Sequence, residues 1–285
     1  MYRLGLASYG FHRALQTGSI DLNGLMRIAA ENGCEVMEFE LPEEAGMEAQ
    51  ARSLRSIRNT LIELRLEPIL KLNPLGSYSF IAEGEAAVDL MRGMERRLEI
   101  AAYLGTRLVR VVARADRYPV SWPPERRHSA LVGNLRQLCQ LAASSDLIVA
   151  LENHADLKKA ELERVLADVS HPALRLTIDV GNIGILFEEP LQALVSLLPH
   201  AASIHMKNYR AIWYPDGFRL TCSRPRLGII DFDALIDVLR QAPAEQEIAL
   251  LIEAHVEADL DELEICREYL AEVRRSSLSL SMLGC

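Results

Sequence analysis

Paired cysteines, nucleotide-binding loops and long apolar runs are all missing from this chain. The five cysteines, Cys34, Cys139, Cys222, Cys266 and Cys285, are odd in number and nowhere form a CxxC pair. That excludes a zinc site built on paired thiolates and argues against a disulfide framework, so a reducing, cytoplasmic setting is expected. There is no Walker A loop and no GxSxG elbow, and Gly181-Asn182-Ile183-Gly184 lacks the GxGxxG form. A dinucleotide fold therefore has no support. No apolar run reaches the ~18 residues of a membrane span, and the amino terminus runs directly into a strand pattern, so neither a leader peptide nor a membrane partner is expected. Cationic excess is also lacking. The 31 basic and 40 acidic side chains leave a formal charge of -9, which argues against a nucleic-acid partner.

What the chain does have is hydrophobic residues at 49% of its 285 positions, arranged in alternation. Apolar runs near 3–8, 35–40, 66–72, 107–113, 147–152, 174–179, 201–206 and 247–253 read as buried strands. Amphipathic stretches near 21–33, 44–65, 84–104, 124–145, 157–169, 190–198, 231–241 and 259–275 read as helices between them. Eight such pairs in about 250 residues close most naturally into one α/β structure, a single (β/α)8 TIM barrel. Asn32-Gly33 and Gly105 fall where helices should end, and Asp231 where one should be capped. With no composition shift or linker, residues 1–275 form the expected catalytic barrel and 276–285 a Ser- and Leu-rich tail. The connections 9–20, 73–83 and 207–230 are long and follow strand C-termini, where barrel active sites lie. The last holds Arg210, Trp213, Tyr214 and Phe218 and is a lid candidate.

Four of the strand patterns end on a metal-ligand type of side chain: Glu152, Asp179, His205 and Glu253. A carboxylate at the end of an apolar strand is costly to bury without a partner. A divalent cation would partner all four at once, and three carboxylates with one imidazole suit Mn²⁺, Mg²⁺, Co²⁺ or Zn²⁺ better than a soft thiolate site would. Without a cation, the three carboxylates would raise one another's pKa. Alternation with period 2 puts His154, Lys207 and His255 on the same sides as Glu152, His205 and Glu253, facing a substrate. Arg110 lies inside an apolar run, where a guanidinium meets a carboxylate, phosphate or ligand oxygen. Glu38 ends its strand in the same manner. Both are assigned to the substrate together with His12, although a structural ion pair between Arg110 and Glu38 is an open alternative.

The segments Ser8-Tyr9-Gly10-Phe11, Leu151-Glu152-Asn153-His154, Ile178-Asp179-Val180-Gly181-Asn182, His205-Met206-Lys207-Asn208 and Leu227-Gly228-Ile229-Ile230-Asp231-Phe232 resemble the xylose-isomerase-like barrel superfamily. The resemblance runs from residue 3 to about 270. It implies a Mn²⁺- or Mg²⁺-type site on Glu152, Asp179, His205 and Glu253, with the two glutamates as acid/base groups. Many members carry His three residues after the Asp; here Asn182 stands there and is assigned to the substrate. The extra histidines of the endonuclease branch are missing. The Glu-x-His, His-x-Lys-Asn and strand-4 Arg pattern also resembles the 3-dehydroshikimate dehydratase branch. The expected activity is that of an isomerase or epimerase on a small sugar, sugar phosphate or related polyol ketone. Glu152, Glu253, Lys207 and His154 are the expected catalytic residues. The alternatives are a dehydratase of the 3-dehydroshikimate or inosose type, and a non-catalytic sugar-binding barrel. The expected partner is a small molecule, with self-association open.

Overall fold

A computed structural model describes residues 1–41, 46–73, 79–114, 124–243, 245–255, 260–276 and 278. Eight parallel strands form a closed barrel: β1 (Tyr2–Ala7), β2 (Val36–Phe39), β3 (Glu67–Lys71), β4 (Leu108–Val112), β5 (Ile148–Glu152), β6 (Leu174–Asp179), β7 (Ala201–Met206) and, after an inserted hairpin of β8 (Tyr209–Tyr214) and β9 (Gly217–Cys222), β10 (Ile248–Ile252). Helices cover the outside: α1 (His12–Gln16) and α2 (Leu22–Glu31) after β1, then α3 (Met47–Leu64), α4 (Glu85–Leu104), α5 (Pro124–Ala143) and α6 (Lys159–Val169). They continue with α7 (Val180–Ile185), α8 (Pro190–Leu197), α9 (Phe232–Leu239) and α10 (Glu262–Arg275). This is a single (β/α)8 TIM barrel. No helix among the described residues is long and apolar enough to cross a membrane.

The strands are buried on both faces, as parallel strands flanked by helices must be, so they read as unbroken apolar runs. Their outward side chains join the large helix–sheet core. A smaller separate cluster, Ala7, Val36, Ile69, Ala249 and Leu251, comes from strands alone and fills the barrel's inside. The expected helix ends hold: Gly33 and Gly105 both adopt positive φ, at 62° and 81°, and Asp231 accepts hydrogen bonds from the N–H groups of Asp233 and Ala234.

Two long connections are more ordered than the sequence patterns suggested. Residues 8–16 form a 3-10 turn followed by α1. Within 207–230, the connection expected as a lid candidate, β8 and β9 pair antiparallel from Tyr209↔Cys222 to Tyr214↔Gly217. The local reason is chemical: Pro215-Asp216-Gly217 is strong turn chemistry between two runs rich in aromatic and β-branched residues. The third connection, 73–83, lies partly outside the described residues, as does all of the tail except Ser276 and Leu278.

Gly5 tests the interior packing. A Cβ there would meet the Val36 carbonyl oxygen at 2.4 Å and Leu251 Cδ2 at 2.9 Å. Gly5→Ala should destabilise by about 1–3 kcal/mol, the usual cost of overpacking a tight core. Gly133→Ala, on the exposed side of α5 with nothing within 4 Å, should instead gain up to ~1 kcal/mol from helix propensity. Denaturant unfolding of both variants checks the contrast; equal effects would mean the barrel interior is looser than drawn.

Candidate metal centre

The barrel order β10-β7-β6-β5 puts four consecutive strand ends side by side. Glu152, Asp179, His205 and Glu253 project from them, and one ligand atom from each lies within 4.8 Å of all the others. Cation–ligand bonds of about 2.0–2.2 Å place ligands on one ion within that spread. All four are at most 4% exposed.

His205 shows how the group is oriented. Its Nε2 faces Glu38 Oε2 at 3.2 Å. That turns Nδ1 toward Glu253 Oε2 (3.3 Å), Asp179 Oδ2 (3.6 Å) and Glu152 Oε1 (3.8 Å), and this buried nitrogen has no hydrogen-bond partner. An orphaned imidazole nitrogen facing three carboxylate oxygens fits a divalent cation of the kind that hard O and N donors hold.

Side-chain cations also enter the cluster. Lys207 Nζ lies 2.5 Å from Asp179 Oδ2 and 2.7 Å from Glu253 Oε2. Arg110 pairs with Glu38 at 2.9 Å and with Glu152 Oε2. These charges correct the expectation that uncompensated carboxylates would raise one another's pKa. Burial pushes Glu253 and Asp179 up, but Lys207 and His205 outweigh it; Asp179 is held low and Glu253 well below the usual carboxylate range. Reciprocally, burial pushes His205 and Lys207 down while the carboxylates outweigh it and hold both well above their ordinary values.

The decisive comparison is with a family model. The chain belongs to the xylose isomerase-like TIM barrel family, which matches residues 26–272. Among family relatives, a 3-dehydroshikimate dehydratase from Bacillus anthracis is 23% identical over 78% of this chain and 82% of its own length. A 3-oxo-isoapionate decarboxylase from Pectobacterium atrosepticum is 23% identical over 96% of this chain and 93% of its own. The solved structure of an L-ribulose 3-epimerase superposes with a TM-score of 0.74 at 12% identity, over 97% of this chain and 94% of that one. These three are named as enzymes, a dehydratase, a decarboxylase and an epimerase, so different chemistries occur on this type of barrel.

Within that family frame the other sequence-assigned residues take definite places. Lys207 joins the metal-type cluster. Arg110 and Glu38, assigned to the substrate, pair with Glu152 and His205 respectively, because a buried guanidinium needs carboxylate partners; the structural ion pair between them held open from sequence is present. Asn182 likewise turns inward: its Nδ2 donates to Asp179 Oδ2 at 2.8 Å and faces Glu152 Oε1 at 3.5 Å. His154 is buried two residues past Glu152, its backbone N–H donating to Asp156 Oδ1. His255 stacks on His12 with ring centroids 4.0 Å apart and on Tyr9 at 5.2 Å.

Sequence reasoning missed three contributors. Lys71, 3% exposed, pairs with Glu40 beside Arg110; a lysine inside Ile69-Leu70-Lys71-Leu72 carried the same signal as Arg110. Asn153 clamps the end of β6, accepting from the Asp179 N–H at 2.7 Å and donating to its carbonyl at 2.9 Å. Asn208 ties the segment after β9 down, donating to the carbonyls of Pro225 and Ile230.

Two measurements follow. Added Mn²⁺ should raise the melting temperature and a chelator reverse it, since a ligand at 100 times its Kd stabilises by about 2.7 kcal/mol. Asp179→Asn should abolish the response, and a response unchanged in that variant would place the cation elsewhere. Asp156 provides a pH test. It accepts from the N–H groups of Arg114 and His154 at 3.1 Å each, yet burial outweighs these bonds and lifts it from 3.8 to about 6. The folded state then keeps a proton that the unfolded chain releases, so this contribution is present at low pH and lost as pH rises through that window. Asp156→Asn should therefore gain stability relative to the parent between pH 4 and 7; parallel pH curves would refute the burial effect.

Proposed function

We propose that this chain is a divalent-cation-dependent isomerase or epimerase that moves a proton at the carbon beside a carbonyl of a small sugar, sugar phosphate or related polyol ketone. The supporting observation is the order of the cluster: Glu152 and Glu253 stand on its outer strands with Asp179 and His205 between them. Two carboxylates then flank whatever occupies the middle. Mn²⁺ is the proposed cation, with Mg²⁺, Co²⁺ and Zn²⁺ sharing the same donor preferences. A cation held by the four residues would polarise the substrate carbonyl as a Lewis acid.

The chain's own groups do the rest. One glutamate takes the proton from carbon, and the other returns one, from the opposite face in an epimerisation. Arg110 holds Glu152 by one oxygen and leaves the other facing the site, so that carboxylate acts from a fixed position.

One observation favours a second reading, that of a lyase expelling a β-hydroxyl from the same enolate. The Lys207 ammonium lies within 2.7 Å of Glu253, where it can hand a proton to a leaving oxygen, and a dehydratase is among the relatives.

Incubating the metal-replete protein with ketoses, inososes and 3-dehydroshikimate in D₂O, followed by NMR, distinguishes the two. Deuterium at the α-carbon with a new epimer or isomer supports the first reading, and an unsaturated product the second. If no carbonyl compound gives either exchange or an unsaturated product, both readings fail. With one metal at saturation, Glu253→Gln should lower kcat by about 10²–10⁴-fold. Lys207→Met should raise KM if Lys207 only orients a substrate oxygen, and collapse kcat if it moves a proton. Wild-type turnover in Glu253→Gln would require the base to be sought at His154 or Lys207.

A further inference from the structure

The cluster leaves one large feature of the barrel mouth unused. A cavity of about 650 Å³ opens beside Glu38 and Arg110, between the turn and helices that follow β1 and the outer end of β2. That size falls in the range of about 300–1,000 Å³ that holds drug-sized ligands. Its inner end is polar, with Tyr9, His12, Glu38 and Arg110. Its outer wall is aliphatic: Leu15, Ile20, Leu22, Leu41 and Ile57. The first four are only partly buried, so they keep apolar surface turned to the opening.

The charges around this cavity are already committed. Arg110 is held by Glu38 and Glu152, and Glu38 also by His205. Glu40 is held by Lys71. Asp21 caps α2 through the Gly24 N–H at 2.7 Å. Among the described lining residues, a phosphate or carboxylate entering here would meet Asp21, Glu38 and Glu40, while the imidazole of His12 is shifted toward its neutral form by burial and has Glu262 3.8 Å from its Nδ1. Moving an anion into such surroundings is unfavourable, whereas covering the aliphatic wall is favourable.

We propose that this cavity is a subsite for an uncharged, apolar substituent, so that the substrate is an alkyl or aryl glycoside-type compound, not a phosphorylated sugar. The inference rests on the reading that a polyhydroxylated carbonyl unit occupies the neighbouring cluster. Glu38 and Arg110 line this cavity and also pair with His205 and Glu152, so the cavity borders the cluster: the sugar unit would sit over the cluster and its substituent would lie along Leu15, Ile20, Leu22 and Leu41.

Calorimetric titration of the whole protein with methyl, butyl, hexyl and phenyl β-D-glucopyranosides and with glucose 6-phosphate tests this. None of these glucosides carries a carbonyl, so the readout is binding without turnover. A fully buried methylene is worth about 0.8 kcal/mol, or roughly fourfold in Kd. Partial burial should give on the order of two- to fourfold per methylene, and more than tenfold from methyl to hexyl. The double variant Ile20→Asn with Leu41→Asn should flatten the series while methyl glucoside binds as before; if that variant does not fold, the wild-type series decides alone. A flat wild-type series, or glucose 6-phosphate binding more tightly than methyl glucoside, overturns the proposal. A steep series in a protein that exchanges no α-proton would leave the subsite standing and remove the proton-transfer reading. Exchange with a flat series would do the reverse.

Discussion

The whole catalytic end of this barrel depends on compensating carboxylates that have been taken out of water. Glu38, Glu152, Asp179 and Glu253 are each no more than 4% exposed. The effective cost of burying one unpaired ion is several kcal/mol, comparable to the net stability of a domain. The fold meets this with Arg110, His205 and Lys207, and each pairing is directional. Arg110 reaches across the barrel to join Glu38 and Glu152. Glu38 takes Nε2 of His205 and so aims Nδ1 at the other three carboxylates. Stability and site geometry are therefore one requirement: an ion pair that failed to form would cost folding energy and would also turn a ligand away. A divalent cation held there would add two charges where Lys207 supplies one, and would compete with the ammonium for Asp179 and Glu253.

The sequence made the barrel legible because each strand is buried on both faces. Unbroken runs such as Ile148-Val149-Ala150-Leu151 cannot be amphipathic surface elements, and their spacing leaves room only for crossover helices. Strand ends came out within a residue or two for the same reason: a Glu, Asp or His terminates the apolar run where the barrel opens. The four cluster residues could thus be named before any coordinates. Their partners could not. Whether Arg110 meets a substrate or a carboxylate depends on the registers Glu38↔Ile69, Lys71↔Arg110 and Val112↔Glu152, which fix β2, β4 and β5 relative to one another. Period-2 alternation says which way a side chain points and nothing about what waits there.

The same limit explains Lys71 and the hairpin. Lys71 and Arg110 sit opposite one another on β3 and β4, so two cations share one layer, a fact of pairing that neither strand carries alone. For β8 and β9, attention to length and aromatic content hid the Pro215-Asp216-Gly217 turn. The hairpin's exposed Trp213 and Phe218, with rings 5.5 Å apart, stand away from the buried cluster. The charged site is thus built by the barrel proper, on rigid strand ends, and the inserted hairpin approaches it at its base, where Tyr209 and Cys222 act on Lys207. Rigid elements hold ligands with a precision that loops do not.

Asn182 shows how one substitution shifts the work of such a site. Where many members of the superfamily have an imidazole, this chain has a neutral amide that cannot titrate between pH 5 and 8. Its Nδ2 is spent on Asp179 and Glu152, so its orientation is fixed: reversing the amide would set its oxygen against two carboxylates. That leaves Oδ1 a buried acceptor with no partner, and an unsatisfied buried acceptor costs about 1–3 kcal/mol. A substrate hydroxyl donating to Oδ1 would recover that cost, whereas a proton could not be stored there. Under the proposed proton transfer, the moving proton would therefore fall to Glu152 and Glu253 on the outer strands, or to Lys207 or His154 near them, and Asn182 would hold two of the carboxylates in place.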